Sequence, residues 1–177
     1  MNNKKSTGSI VFWMEPLFPP KRGDAVGKTK VGKGTKVMMV TDGNGLPLSI
    51  HIASAQPHEI RLAEETLRGI RVPQPCGRPK TRPKILIADR AYDSQAFRKS
   101  LQKRGIKFFI PTRKNRRKHG RASKIRHLYR YRWKIERCFA WMDQFRRLVV
   151  RFERQATIFK AFCIIACIIW VLNTLID

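Results

Sequence analysis

Residues 84–89 read KILIAD, and this short stretch decides how the rest of the chain is arranged. Its apolar residues run without polar alternation, which predicts a strand at 84–88 buried on both faces, as at the centre of a sheet. The strand ends at Asp89. An acid in this position is either a functional carboxylate or a turn and helix-cap residue.

The segments before this strand predict an antiparallel meander. Short apolar runs at 9–13, 35–41 and 48–53 predict three strands, and the Pro-, Gly- and Lys-rich segment 16–34 predicts a loop. The second and third strands are joined by DGNG at 42–45. Asp-Gly and Asn-Gly pairs supply the positive φ values of a tight hairpin turn.

Helices and strands alternate in the rest of the chain. The predicted elements are a helix at 60–70, the central strand, a helix at 95–104 capped by Ser94, a strand at 107–110, a basic loop at 112–123, a long helix at 123–150 and an apolar helix at 156–176. The resulting order, βββαβαβαα, is that of the ribonuclease-H-like fold, a mixed five-stranded sheet with flanking helices. We therefore expect a disordered N-terminus at 1–8 and one domain at 9–177.

The charge of the chain narrows the choice of partner. The 177 residues include 38 Lys and Arg against 12 Asp and Glu, a formal net charge of +26. A compact domain with this charge repels itself, and a polyanionic partner is the usual reason to tolerate it. The segment 98–137 is strongly basic, with Glu136 as its single acid. Nucleic acid, DNA or ribosomal RNA, is the expected partner, with an anionic membrane face as the alternative, and the charge disfavours an enzyme acting on small neutral substrates.

Cysteine usage and hydropathy indicate a cytoplasmic protein without a membrane span. The four cysteines form no CxxC pair and no zinc-finger spacing, which favours a reducing compartment. The unbroken apolar run 161–172 has 12 residues. Because a spanning helix needs roughly 20, we expect a core helix that covers one face of the sheet.

Two acids are placed for metal-dependent phosphodiester chemistry. The ribonuclease-H-like fold gathers carboxylates from the end of its first strand, from behind its fourth strand and from a later helix. Two Mg²⁺ ions roughly 4 Å apart can then activate the attacking oxygen and stabilise the leaving one. Asp89 follows the fourth strand, and Glu136 lies on the long helix. The simpler interpretation of Glu136 is a surface acid paired with Arg132.

The long helix predicts three distinct faces. Tyr129, Arg132, Glu136 and Asp143 share one stripe, which borders an apolar stripe made by Leu128, Ile135, Phe139 and Met142. A separate basic face, expected to contact DNA phosphates, is formed by Arg126, Arg130, Lys134 and Arg137.

The spacing Tyr129-x2-Arg132-x3-Glu136 resembles the signature of bacterial insertion-sequence transposases of the DDE class, in particular the insertion-sequence-five group. Matching stretches are DAVGKTKVGKGTKVMMVTDGNGLPLSIHIASAQPHE, LIADRAYDS, IPTRKNRRK, RWKIERCFAW and FRRLVVRFER. The resemblance implies a transposase that cuts the terminal inverted repeats of its element and joins the 3′-hydroxyls to target DNA. It implies Asp89 and Glu136 as catalytic and metal-binding acids with Mg²⁺, Tyr129 and Arg132 as DNA contacts, and a homo-oligomer on DNA.

The chain departs from this family pattern at three points. Asp143 stands where the signature has a Lys. The first acid of the family should lie at the end of the first strand, where Glu15 is the only carboxylate within reach. Asp24 and Asp42 are rejected as substitutes, because the first is expected in a loop and the second in a hairpin turn. The helical N-terminal region of the family is also absent, so we expect a domain truncated at its N-terminal end. A chain with an incomplete acid set is expected to be inactive alone, and the alternative is a non-catalytic basic DNA-binding remnant.

Overall fold

The computed structural model describes residues 10–14, 17–18, 23–29, 32–112 and 126–176. The predicted disordered segment 1–8 and the candidate acid Glu15 lie outside the described residues. So does most of the basic loop predicted at 112–123.

Within the described residues, seven strands form the sheet. They are β1 (Ile10–Met14), β2 (Leu17–Phe18), β3 (Gly27–Thr29), β4 (Gly32–Thr41), β5 (Pro47–Ser54), β6 (Ile85–Ile87) and β7 (Lys107–Phe109). Across the main sheet the order is β5, β4, β1, β6, β7. The β4 strand is antiparallel to β1 and β5, whereas β6 is parallel to β1 and β7. This is the mixed five-stranded arrangement expected of a ribonuclease-H-like fold.

The expectation of a plain loop at 16–34 is wrong, because the described part of this segment contains β2, β3 and the start of β4. Leu17 pairs with Lys36 and Gly27 pairs with Gly34, so both short strands pair with the long β4 strand. A Gly- and Lys-rich segment lacks the side-chain alternation that reveals a strand. Pairing with β4 comes from backbone hydrogen bonds, which any non-proline residue can form.

Helices cover both faces of the sheet. They are α1 (Glu59–Arg68), α2 (Gln95–Lys103), α3 (Trp133–Met142), α4 (Arg146–Val149) and α5 (Ala156–Ile176), together with 3-10 segments at Arg90–Tyr92 and Arg126–Arg132. Ser94 accepts a hydrogen bond from the Phe97 amide, which confirms it as the cap of α2.

Two apolar cores form because successive side chains of a strand point to opposite faces. On β4, Met38 and Val40 pack into the core beneath α1 and α2, whereas Val37 and Met39 pack into the core beneath α3 and α5. The central strand β6 is likewise divided, with Leu86 in one core and Ile87 in the other. The prediction that this strand is buried on both faces is confirmed.

The prediction of a single long helix at 123–150 is wrong. The described part begins as a 3-10 segment, continues as α3, turns at 143–145 and resumes as the four-residue α4. Phe145 adopts an extended conformation with ψ 106°. This break redirects the chain so that Leu148 is buried at 1% exposure in the core to which Phe159 of α5 also belongs.

The expectation that the C-terminal helix is a core helix holds for only one of its faces. The α5 helix buries Phe159, Cys163 and Ala166 in the second core. It has 21 residues and is long and apolar enough to cross a membrane by length and composition alone. Much of its remaining surface is exposed, including Ile165 and Ile168.

A buried arginine fixes the start of α5 to the sheet. The Arg151 side chain is fully buried, and its guanidinium donates to the Thr35 hydroxyl at 2.8 Å and to the Asp24 carboxylate at 3.0 Å. The same carboxylate accepts a bond from the Ala156 amide at the first residue of α5. Asp24 therefore connects Arg151 with the N-terminus of α5, a structural role.

Candidate active site

Asp89 lies at the carboxyl end of β6, just beyond two fully buried strand residues. Its carboxylate accepts a hydrogen bond of 2.7 Å from the Arg90 amide and caps the 3-10 segment Arg90–Tyr92. The buried strand therefore fixes the backbone, and the cap fixes the side chain. Because β1 runs parallel to β6 with Phe12 beside Ile87, both strands end at this same edge of the sheet.

Tyr129 brings the later part of the chain to Asp89. Its hydroxyl donates to the Asp89 Oδ1 atom at 3.2 Å, and its ring makes an edge contact with Phe109 of β7, with centroids 5.5 Å apart. Burial raises the pKa of the Tyr129 phenol, and the neighbouring Asp89 charge raises that pKa further. Tyr129 is therefore a neutral hydrogen-bond donor at physiological pH.

Glu136 reaches the same group of residues through Arg132. The Arg132 guanidinium lies 2.5 Å from the Glu136 Oε1 atom and 5.8 Å from the centre of the Tyr129 ring. Both side chains of the ion pair are partly exposed. A continuous series of contacts thus runs from Asp89 through Tyr129 and Arg132 to Glu136.

The donor atoms of these acids suit a hard divalent cation. The hydrogen bonds from Arg90 and Tyr129 to Asp89 both fall on Oδ1, and the ion pair of Glu136 uses Oε1. Within the described residues, one oxygen of each carboxylate is therefore left for another ligand. Oxygen ligands are those that Mg²⁺ prefers. The described part of the chain contains no cluster of three or more acidic, His or Cys side chains able to hold a metal.

Comparison with known proteins settles the family. The sequence profile of the transposase DDE domain matches residues 18–171. The chain belongs to the DDE transposase family. It is also 37% identical over 169 residues to a Burkholderia cepacia protein whose name describes a transposase for insertion sequence element IS402. That match covers 92% of this chain and 72% of the relative.

A solved structure supports the same fold. The piggyBac transposase, in a synaptic complex with hairpin DNA, matches with a TM-score of 0.55 at 12% sequence identity. The match covers 92% of this DDE transposase chain but 45% of the piggyBac chain. The predicted transposase family and ribonuclease-H-like fold are thus confirmed, whereas the insertion-sequence-five group stays a prediction.

The four basic residues assigned to one face of the transposase do not share a single α-helix. The first two lie in the 3-10 segment and the other two in α3, and the side chain of Arg126 lies outside the described part. Arg130 is exposed and stacks on the Tyr131 ring at 4.8 Å. Lys134 donates to the Gly43 carbonyl at 2.7 Å. Arg137 lies 5.1 Å from the Trp133 ring and 5.5 Å from the Trp170 ring.

Three other acids that the sequence analysis weighed have positions of their own in the fold. Asp42 accepts bonds from the Asn44 and Leu46 amides, as expected of a turn residue. Asp24 is bound by Arg151, as described above. Asp143 is exposed and ends α3. The structure therefore connects Asp89 to Glu136 through Tyr129 and Arg132, and it gives Asp42 and Asp24 structural contacts.

Sequence reasoning missed two residues of the site. Phe109 supports the Tyr129 ring, and the Arg90 charge lies close enough to influence the Tyr129 pKa. The signal for Phe109 was present, because its strand was predicted next to the central strand. Nothing in the local pattern indicates that Tyr129 would pack against it.

Proposed function

We propose that this chain is the catalytic domain of a DNA transposase that cuts the ends of its own element and joins them to target DNA. Asp89 and Glu136 are its catalytic carboxylates in this proposal. The observation that carries it is the series of contacts from Asp89 through Tyr129 and Arg132 to Glu136. Asp89 and Tyr129 come from distant parts of the chain, and the Tyr129 hydroxyl contacts Asp89 just beyond the end of β6.

Asp89 and Glu136 would hold divalent cations, with Mg²⁺ as the expected ion. When bound, such ions activate the attacking oxygen and stabilise the leaving oxygen of a phosphodiester. Tyr129 orients the Asp89 carboxylate by its hydrogen bond. Arg132 holds Glu136 and places a cation beside the site, where a DNA phosphate could exchange with the carboxylate.

The DNA partners would be the terminal inverted repeats of the element and the target duplex. The net charge of +26 supports this, since Lys and Arg side chains that neutralise phosphates release counterions. Arg126, Arg130, Lys134 and Arg137 would contact phosphates and contribute little base readout. The expected setting is the cytoplasm of a bacterium, and the expected assembly is a homo-oligomer on DNA.

The chain alone should cleave DNA poorly. Two carboxylates hold a pair of ions weakly, because a two-metal site needs a further acid to bridge or position them. Glu15 is the next residue in the sequence after β1 and the candidate for that acid. Its side chain is one methylene longer than Asp, and a misplacement of about 1 Å can cost roughly a hundredfold in rate.

One observation favours a second candidate function, a non-catalytic DNA-binding remnant. Glu136 is already paired with Arg132, and that ion pair needs no metal. In such a remnant the basic side chains would bind element ends and the two acids would be structural.

Cleavage of a terminal-repeat duplex by the purified chain in Mg²⁺ tests the proposal. The variants are Asp89→Asn, Glu136→Gln and Glu15→Gln, with Asp143→Asn as the matched control. A slow cleavage that disappears in Asp89→Asn and Glu136→Gln, and persists in the control, supports the assignment.

Cleavage that is equal in all variants would overturn the assigned acids. DNA binding with no detectable cleavage favours the remnant. Fast cleavage that disappears in Glu15→Gln would overturn the claim of weak activity and make Glu15 the first acid.

A further inference from the structure

A cleft between α3 and α5 shares no residue with the contacts around Asp89. Its volume is about 460 Å³, which lies within the range of about 300–1,000 Å³ that is typical of ligand pockets. Most of the side chains that line it are polar or aromatic: Arg137, Trp141, Gln144, Trp170, Asn173 and Thr174. None of the described residues that line it is acidic. The cleft therefore suits a ligand that is flat, polar at its edges and negatively charged.

Two indole rings of the cleft are held in place by contacts of their own. The Trp170 indole N–H donates to the Gly45 carbonyl at 3.2 Å. The Trp141 ring lies 5.6 Å from the Trp170 ring and 5.8 Å from the Phe145 ring, measured between ring centres. Because these contacts already order both indoles, a planar group that packs against them does not have to order them first.

The cation of the cleft is also held by aromatic rings. The Arg137 guanidinium lies over the Trp133 ring at 5.1 Å and over the Trp170 ring at 5.5 Å. Contacts with ring faces leave the N–H groups of a guanidinium able to donate to an anion. A phosphate at the cleft would therefore meet a cation whose position is already set.

Hydrogen-bonding groups at the cleft are left for a ligand. The Trp141 indole N–H is buried and has no hydrogen-bond partner in the described part of the chain. A buried donor without an acceptor is costly, and an acceptor atom of a ligand would remove that cost. Gln144 and Asn173 are exposed, and each carboxamide offers both a donor and an acceptor. The edges of nucleobases carry the same mixture of donors and acceptors.

These properties together favour DNA as the source of the ligand. A nucleotide combines a flat base, a polar base edge and a phosphate, whereas an acidic peptide would use the cation and leave the indole wall without a partner. A base inside a duplex is stacked and paired, so only an unpaired base can enter a cleft. The net charge of +26 also attracts DNA to this surface.

We propose that the cleft between α3 and α5 binds one unpaired nucleobase of DNA. The base packs against Trp141 and Trp170, its polar edge meets Gln144 and Asn173, and the adjoining phosphate binds Arg137. This proposal rests on DNA as the partner named under the proposed function. It does not depend on metal binding or on strand cleavage.

Fluorescence anisotropy of the full chain in EDTA tests the proposal with three labelled duplexes. One is fully paired, the second contains one extra unpaired base, and the third contains one extra nucleotide that lacks its base. The cleft variant is Gln144→Glu with Asn173→Asp, which keeps the size of both side chains but removes their N–H donors. The control is Gln95→Glu with Gln102→Glu, which makes the same charge change at exposed positions of α2. Circular dichroism verifies that both variants fold.

We expect the native chain and the control to bind the duplex with the unpaired base about tenfold more tightly than the other two, because a base stacks on aromatic side chains. The cleft variant should lose this preference and bind the paired duplex as the control does. When the unpaired base is 5-iodouracil, a photoreactive base that joins to aromatic side chains, irradiation should join it to Trp141 or Trp170.

Equal affinity of the native chain for all three duplexes would overturn the base site and leave DNA binding intact. A preference shared by the duplex without the base, or retained by the cleft variant, would also overturn it. Binding of deoxyadenosine monophosphate that is lost in the cleft variant, with no preference among the duplexes, would assign the cleft to a free nucleotide instead. A native chain that binds none of the duplexes would contradict this proposal and the proposed function together.

Discussion

The Tyr129 hydroxyl donates a 3.2 Å hydrogen bond to the Asp89 carboxylate, although 40 positions separate the two residues in the sequence. This bond connects the end of the central strand with the segment that leads to Glu136. The Asp89 charge also disfavours ionisation of the Tyr129 phenol and adds to the rise of its pKa by burial, because a tyrosinate beside a carboxylate would place two negative charges in contact. The site therefore contains a pH-sensitive contact.

Tyr129→Phe should change how stability depends on pH. The pKa of the phenol is raised in the folded state, so its contribution is complete below about pH 10 and is lost as the pH rises through the folded pKa. Urea unfolding between pH 8 and 11 measures the free energy of unfolding of the native chain and of the variant. Lysines titrate in both proteins, so their contribution cancels when the two curves are compared. The native chain should lose more stability above pH 10. Parallel curves would show that the bond to Asp89 does not affect the ionisation of Tyr129.

Replacing Arg151 should destabilise the fold strongly. Its guanidinium donates to Thr35, to Asp24 and to the carbonyls of Glu153 and Arg154, all from a fully buried position. Arg151→Met keeps much of the side-chain volume but leaves those acceptors unpaired, which should cost about 3–5 kcal/mol in the free energy of unfolding. Chemical denaturation measures this cost, with exposed Arg154→Met as the control. A loss below about 1 kcal/mol would contradict the role given to Arg151.

Thiol reactivity should distinguish Cys76 from the other three cysteines. Cys76 is exposed, whereas burial raises the pKa of Cys138, Cys163 and Cys167 to about 12. Because the thiolate is the reactive species, a disulfide reagent at pH 8 should modify one thiol per native chain quickly and three more after unfolding. Fast modification of two or more thiols in the native chain would mean that α5 does not pack against α3 as described.

DNA affinity should be largely electrostatic and should fall steeply as salt rises. Replacing Arg126, Arg130, Lys134 and Arg137 by Gln should reduce the slope of log affinity against log salt by about 0.9 for each phosphate that is no longer neutralised. The matched control removes the same charge from α1 and the loop that follows it, at Arg61, Arg68, Arg71 and Arg78. Fluorescence anisotropy with two unrelated duplexes measures the DNA affinity of both variants over a range of salt concentrations. If the control variant weakens binding as much, the basic side chains near α3 are not the DNA surface.

The features that were predicted correctly are those that a local pattern of residues reveals. The unbroken apolar run before Asp89 located the central strand, and apolar spacing placed Ile135 and Phe139 in the core, where the structure has them. The break at 143–145 was missed because the segment has the periodicity of a helix throughout. The break buries Leu148, and this depends on tertiary packing that the local pattern does not contain. The contact of Tyr129 with Phe109 and Asp89 was missed for the same reason. It depends on how separate elements pack, and no spacing within one element reveals it.

Binding of Mn²⁺, a spectroscopic substitute for Mg²⁺, tests most directly whether Asp89 and Glu136 form one site. Electron paramagnetic resonance of the purified chain measures the fraction of ion that is bound. Each of Asp89→Asn and Glu136→Gln should weaken binding by about tenfold or more, whereas Asp143→Asn should bind as the native chain does. Equal binding in all four proteins, or none in the native chain, would contradict the account.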